Sequence, residues 1–215
     1  MWTTLFDKIY LINLSFRKER LGRSEKELQK FNIPYEIVPA YLDCADGRNG
    51  LYTTMIGLFR DALIKGYQHI LVFEDDVKIL REDFNEIMDA CIEQLPYYDQ
   101  LYLGGNIPEK FYAKRYSHNL LKVTRCLSTH AVAYNWRAME KIINLPKDLP
   151  IDKLIADKLH HTENIYFAYP LLCSQYPGYS DIYKCPFDNR ELIDGRFEKV
   201  DEYLKQIEKQ ETRCP

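Results

Sequence analysis

The sequence has no apolar run near the roughly 20 residues a bilayer-spanning helix needs, so it offers no transmembrane segment. It has no C-x-x-C pair. Its six cysteines (Cys44, Cys91, Cys126, Cys173, Cys185 and Cys214) are scattered, which argues against a structural zinc site or a disulfide framework and for free thiols, several packing as small hydrophobes. It has no excess of positive charge: 29 Lys and Arg against 32 Asp and Glu give a net charge of −3, unlike a dedicated nucleic-acid binder. Internal repeats and low-complexity tracts are missing too. Met1 to Asp7 carry neither the basic segment nor the apolar stretch of a secretory signal, so the chain as given reads as soluble and cytoplasmic.

What is present is the composition of a globular protein. With 215 residues, 46% hydrophobic and 28% charged, the chain can build one domain over 1–215 with a sizeable core. Its 17 tyrosines suit half-buried positions with a polar tip.

Short β-rich runs alternate with amphipathic segments. Ile9 to Leu14 has no polar alternation and reads as a strand buried on both faces of a largely parallel sheet. A helix carrying Leu21, Leu28 and Phe31 follows, stopped by Asn32-Ile33-Pro34. Tyr35 to Tyr41 reads as a second strand, at an edge because of Pro39. Asp43 to Gly50 is a polar loop, and Met55, Phe59, Ala62 and Leu63 then fall at helical spacing up to a capping Gly66. Ile70 to Phe73 is a third buried strand. Phe84, Ile87, Met88, Cys91, Ile92 and Leu95 make the clearest helical stripe, ended by Pro96. Strands at Gln100 to Leu103, Ala131 to Tyr134 and Ile165 to Tyr169 alternate with helices near 136–145 and 151–159. A loop from Pro170 to Cys185 and a helix carrying Val200, Tyr203, Leu204 and Ile207 complete an α/β sandwich, its sheet flanked by helices.

The feature richest in chemistry is ILVFEDDV, residues 70–77. Three carboxylates sit where a buried strand emerges at its C-terminal end, the place where open α/β sheets bind ligands. Clustered like charges call for a compensating cation, and a hard divalent ion bridging to a diphosphate would meet that need. The plain alternative is a solvated acidic turn. Alternation along an extended strand puts Glu74 and Asp76 on one side and Asp75 on the other. His130 lies on an apolar strand and reads as a core residue, and His160-His161 ends a helix, where the dipole favours cations.

The chain resembles glycosyltransferase family 25, the lipooligosaccharide and collagen-type galactosyl- and glucosyltransferases, through six segments in order. IYLINLSFRKER (9–20) is similar to the opening strand with its spaced arginines, and GLYTTMIGLFRDAL (50–63) to the glycine, Ser-His and helix segment. ILVFEDDV (70–77) is similar to the E-D-D strand, and THAVAYNWRAMEKI (129–142) to the small-residue strand and its helix. LPIDKL (149–154) is similar to the Pro-x-Asp element, and YPLLCSQYPGYSDI (169–182) to the terminal Pro, Gln and Ser-Asp-Ile.

The resemblance implies a GT-A nucleotide-diphosphosugar transferase fold. It implies transfer of galactose or glucose from a UDP-sugar to a hydroxyl of a glycan or protein, with inversion, as in lipopolysaccharide or glycan biosynthesis. It also implies Mn²⁺ or Mg²⁺ held by Asp76 and Glu74. Asn13, Leu14, Arg17 and Arg20 become candidate contacts of uracil and diphosphate, arginine suiting phosphate through its forked donors. Asn13 has a plainer role in satisfying backbone at the strand end. Thr54, Glu74, Asp75 and Gln175 complete the donor pocket. Asp152 is the candidate general base, with a first-turn helix acid as its plainer role, and Asp181 a second catalytic candidate.

One departure stands out. The family's Ser-His is Thr54-Met55 here, and a thioether cannot replace an imidazole, although Thr54 keeps the hydroxyl and can cap the helix. Two further readings follow: a catalytically silent sugar-nucleotide-binding protein, and a phospho-acceptor or phosphatase-like α/β domain using the acidic strand end. The latter's Asp-x-Asp-x-Thr pattern is not evident.

Overall fold

The computed structural model describes residues 1–211. The apolar runs form a mixed sheet of eight strands: β1 (Lys8–Asn13), β2 (Glu36–Pro39), β3 (His69–Glu74), β5 (Gln100–Asn106), β6 (Ala113–Arg115), β7 (Leu120–Val123), β8 (Leu127–Asn135) and β9 (Ile165–Ala168), in the order β2-β1-β3-β8-β5-β9-β7-β6. β1 pairs in parallel with β2 and β3, and β5 with β9. β8 is antiparallel to both β3 and β5, and β7 to both β9 and β6. Six strands therefore run one way, while β8 and β7 run the other. Two small antiparallel pairs lie outside this sheet: β4 (Val77–Ile79) with β10 (Cys173–Gln175), and β11 (Gly178–Ser180) with β12 (Cys185–Phe187).

Side-chain alternation divides the core into two layers. Tyr10 and Ile12, Ile70 and Val72, Val132 and Tyr134, and Ile165 and Phe167 face one layer. That layer is closed by α2 (Gly47–Ile64), α4 (Trp136–Ile143), α5 (Ile151–Lys158) and α6 (Arg196–Glu211) through Phe59, Met139, Leu154 and Leu204. Ile9, Leu11, Leu71, Phe73, Ala131 and Tyr166 face the other layer, against Leu28 of α1 (Lys18–Lys30) and Phe84, Ile87 and Met88 of α3 (Phe84–Gln94). Each Val, Leu, Ile, Phe or Met among them contributes about 1.5–3 kcal/mol on burial, which holds the strands in register. Among the described residues no helix is long and apolar enough to cross a membrane.

Several elements differ from the sequence reading. α2 starts inside the expected polar loop, at Gly47, because the Asp46 carboxylate caps it by accepting from Arg48 N at 3.0 Å. Its far end matches expectation: Gly66 has φ +75°, its N–H reaches Leu63 O, and Tyr67 N reaches Ala62 O, the two bonds of a Schellman cap. The expected loop 170–185 contains β10, β11 and the start of β12. β6 and β7 lie between the strands expected at Gln100 to Leu103 and Ala131 to Tyr134, where no element was expected. Cys91, Cys126 and Cys173 are buried free thiols and Cys44 and Cys185 exposed ones, as expected; Cys214 lies outside the described residues. His160 is buried, its Nδ1 accepting from Cys126 N at 3.1 Å. Burial lowers it to about 3, so it is neutral and not the dipole-favoured cation expected.

Candidate functional site

β1 and β3 run parallel and end together, at Asn13 and Glu74. A cavity of about 540 Å³ opens at these C-terminal ends. It gathers ten of the residues singled out from sequence: Asn13, Leu14, Arg17, Arg20, Glu74, Asp75, Asp76, Asp152, Gln175 and Asp181. Thr54 is not among them. It sits inside α2, where its hydroxyl donates to Gly50 O and accepts from Tyr41 N, both at 2.8 Å. Its role is to tie the helix to the chain after β2, whereas Asp46 does the capping. Met55 beside it is fully buried in the core and does not line the cavity.

The acidic strand end is wired to donors. β3 stops at Glu74, so Asp75 and Asp76 form a turn and the expected alternation of faces ends there. The Arg20 guanidinium Nη2 contacts Asp75 Oδ1 and lies 3.0 Å from Asp76 Oδ2. Asn13 Nδ2 donates to Asp75 Oδ2 at 2.6 Å, Gln175 Nε2 to Asp76 Oδ1 at 3.1 Å, and the Thr129 hydroxyl to Glu74 Oε1 at 2.8 Å. Ser24 of α1 donates to Asp75 O. Gln175 is brought here because β10 pairs with β4, and its side-chain Oε1 accepts from Asn189 Nδ2 at 2.6 Å.

Burial, then the charge of Asp76, pushes the Glu74 carboxyl up to about 8, against the Thr129 hydroxyl that favours its ionised form. Burial also lifts Asp75, to about 6, although Arg20 and Asn13 pull it down.

The same donors decide whether a divalent ion fits. Five of the six carboxylate oxygens of Glu74, Asp75 and Asp76 already accept from Asn13, Arg20, Thr129 and Gln175. Among the described residues no three His, Cys, Asp or Glu side chains gather as metal ligands. The expected Mn²⁺ or Mg²⁺ on Asp76 and Glu74 therefore does not fit this arrangement, in which a guanidinium supplies the compensating charge. A phosphatase-like reading is no better served, because it needs an aspartate free to attack phosphorus and both aspartates are bound to Arg20.

The arginines come from the start of α1. Arg17 is held by Asp181, Nε to Oδ2 at 3.0 Å and Nη2 to Oδ1 at 2.6 Å, and its guanidinium lies 5.1 Å from the Tyr179 ring. Asp181 sits in the turn between β11 and β12. Asp152, second residue of α5, accepts from Lys153 N at 2.8 Å and Ser128 N at 3.3 Å, so it is a first-turn acid whose carboxylate also faces the cavity.

Sequence reasoning did not single out Thr129, Arg23, Tyr176 or Asn189, which also line the cavity. Arg23 lies 4.4 Å from the Tyr176 ring. Thr129 stands in the THAVAY strand, two residues before Ala131, and the pairing of Ala131 with Phe73 brings it beside Glu74, a register the sequence does not show.

No family model matches the chain. Over 223 residues, covering 87% of this chain and 35% of the other, it is 22% identical to a Homo sapiens protein named inactive glycosyltransferase 25 family member 3. A Rattus norvegicus protein named probable inactive glycosyltransferase 25 family member 3 is 24% identical over 129 residues, covering 46% of this chain and 23% of that one. The chain thus spans about a third or less of the length of these curated relatives. Among solved structures, the A197 protein of STIV is 16% identical with a TM-score of 0.48, over 80% of this chain and 86% of that one. A Drosophila beta-1,4-galactosyltransferase 7 mutant in complex with manganese, UDP-Gal and xylobiose is 12% identical with a TM-score of 0.48, over 86% and 77%. The chain is thus distantly similar in sequence to glycosyltransferase 25 family members.

Proposed function

We propose that this chain is a glycosyltransferase domain of GT-A type that moves a hexose, galactose or glucose, from a UDP donor to a hydroxyl of a glycan or protein acceptor, with inversion. The observation that carries this reading is the convergence on one cavity of arginines from α1, the acidic end of β3 and Asp152 of α5. The distant sequence similarity agrees with it.

In this reading Arg17 and Arg20 bind the diphosphate and stabilise the charge that develops on it as the anomeric C–O bond breaks. Asn13 spends its amide protons on Asp75 and on Arg17 O at 3.3 Å, so it orients the acid and the helix start and keeps a carbonyl oxygen for the base edge. Leu14 gives the ring an apolar wall. Gln175, engaged at both ends, positions Asp76. Asp152 takes the proton of the acceptor hydroxyl as that oxygen bonds the anomeric carbon. Its oxygens accept from two backbone N–H groups, which leaves lone pairs for that proton.

A second reading has specific support, because both curated relatives are named as inactive: a protein of the same fold that binds the sugar nucleotide without turnover. UDP release in the presence of acceptor separates the two. Release supports transfer, whereas UDP binding without release supports the silent form.

A further inference from the structure

We propose that Arg20 takes the place of a divalent cation, so that this pocket binds a nucleoside diphosphate without metal. The inference rests on the nucleotide-sugar reading and departs from the metal-dependent chemistry that the sequence resemblance implies. Three observations carry it. Arg20 Nη2 sits on both Asp75 and Asp76, bridging the two carboxylates as a bound cation would. The other oxygen of each aspartate accepts a hydrogen bond as well, from Asn13 and from Gln175. An entering ion would have to break these contacts and also meet the charge of a guanidinium already in place.

Arg20 also has donors left over. Arg20 Nε is buried without a hydrogen-bond partner, and Nη1 reaches only Tyr179 O at 3.5 Å and Asp181 Oδ2 at 3.8 Å. A guanidinium has five N–H donors, and an orphaned buried donor is costly. Phosphate oxygens are the acceptors that suit such a group. Arg23 lines the same cavity, as does Arg17, which is paired with Asp181.

The test is the thermal stability of the full chain with MnCl₂ alone, with UDP plus EDTA, and with UDP plus MnCl₂. The same conditions are applied to Arg20→Gln. The inference predicts no shift of the wild type with MnCl₂ alone, and equal UDP shifts in EDTA and MnCl₂. Removing the guanidinium frees Asp75 and Asp76, so Arg20→Gln should gain a shift with MnCl₂ alone. A wild-type UDP shift that is clearly larger with MnCl₂ overturns the inference and leaves the nucleotide-sugar reading standing. No UDP shift in either buffer overturns both. If Arg20→Gln fails to fold, the wild-type comparison decides by itself.

Discussion

Arg17 and Asp181 lie 164 positions apart and meet through two hydrogen bonds, at 3.0 and 2.6 Å. The pair joins the residue that precedes α1 to the hairpin β11–β12 at one side of the cavity. The contact is fork to carboxylate and mostly shielded, with 22% and 16% of the two side chains exposed. Asp181→Asn should therefore cost about 1–3 kcal/mol of stability in thermal or urea unfolding. It should also weaken UDP binding, because the arginine loses its orientation. Unchanged UDP affinity in a destabilised Asp181→Asn protein would show that the pair is structural only.

The hairpin is placed by a close approach as well as by a charge pair. A Cβ at Gly47 would stand 2.5 Å from Asp181 O and 2.8 Å from Ile182 Cα, both backbone atoms that cannot swing away. Gly47→Ala should lower stability by about 1–3 kcal/mol through overpacking and weaken UDP binding. Gly57→Ala, on the exposed face of the same helix with no atom within 4 Å of the new Cβ, should instead raise the melting temperature by about 1–4 °C. Similar effects of the two substitutions would refute the packing argument.

Glu74 gives a pH signature. Its folded value, about 8, is raised above the ordinary 4.5, so the folded state holds a proton that the unfolded state releases. Its contribution to stability is complete below about 4.5 and is lost as pH rises through 8. Glu74→Gln keeps the neutral shape at every pH. The variant should gain stability relative to wild type as pH is raised from 4.5 to 8.5, followed by thermal unfolding; a difference independent of pH would contradict the raised value of this carboxyl.

Much of this architecture is legible in the sequence, for identifiable reasons. IYLINL and ILVF read as buried strands because their alternating faces meet helices on both sides, so neither face is polar. The stripe from Phe84 to Cys91 and the cap at Gly66 follow from local rules. The start of α2 was hidden by its polar first turn, Gly47-Arg48-Asn49. Three-residue strands such as β10 carry too little periodicity to be seen. The candidate residues were legible as types, and the cavity gathers all but Thr54. Their partners were not. That Arg20 would bridge Asp75 and Asp76 depends on where α1 lands, and that Gln175 would reach Asp76 depends on pairing between β4 and β10.

Asp152 separates two roles that the structure combines. As a first-turn helix acid it can be replaced by Asn at a cost of about 1–2 kcal/mol, since the amide keeps one of the two acceptor oxygens but not the charge. As a general base it cannot, because an amide has no useful basicity at neutral pH. Asp152→Asn should lower the melting temperature by only about 2–6 °C and leave UDP affinity near wild type. A large loss of either would make Asp152 a structural residue.

The most direct measurement is UDP release from UDP-galactose and UDP-glucose in the presence of glycan or peptide acceptors, for wild type and Asp152→Asn side by side. The wild type should release UDP from one of the two donors, and the folded variant should do so at a rate lower by about two to four orders of magnitude. UDP bound by the wild type but never released from any UDP-hexose, or equal rates in the two proteins, would contradict this expectation.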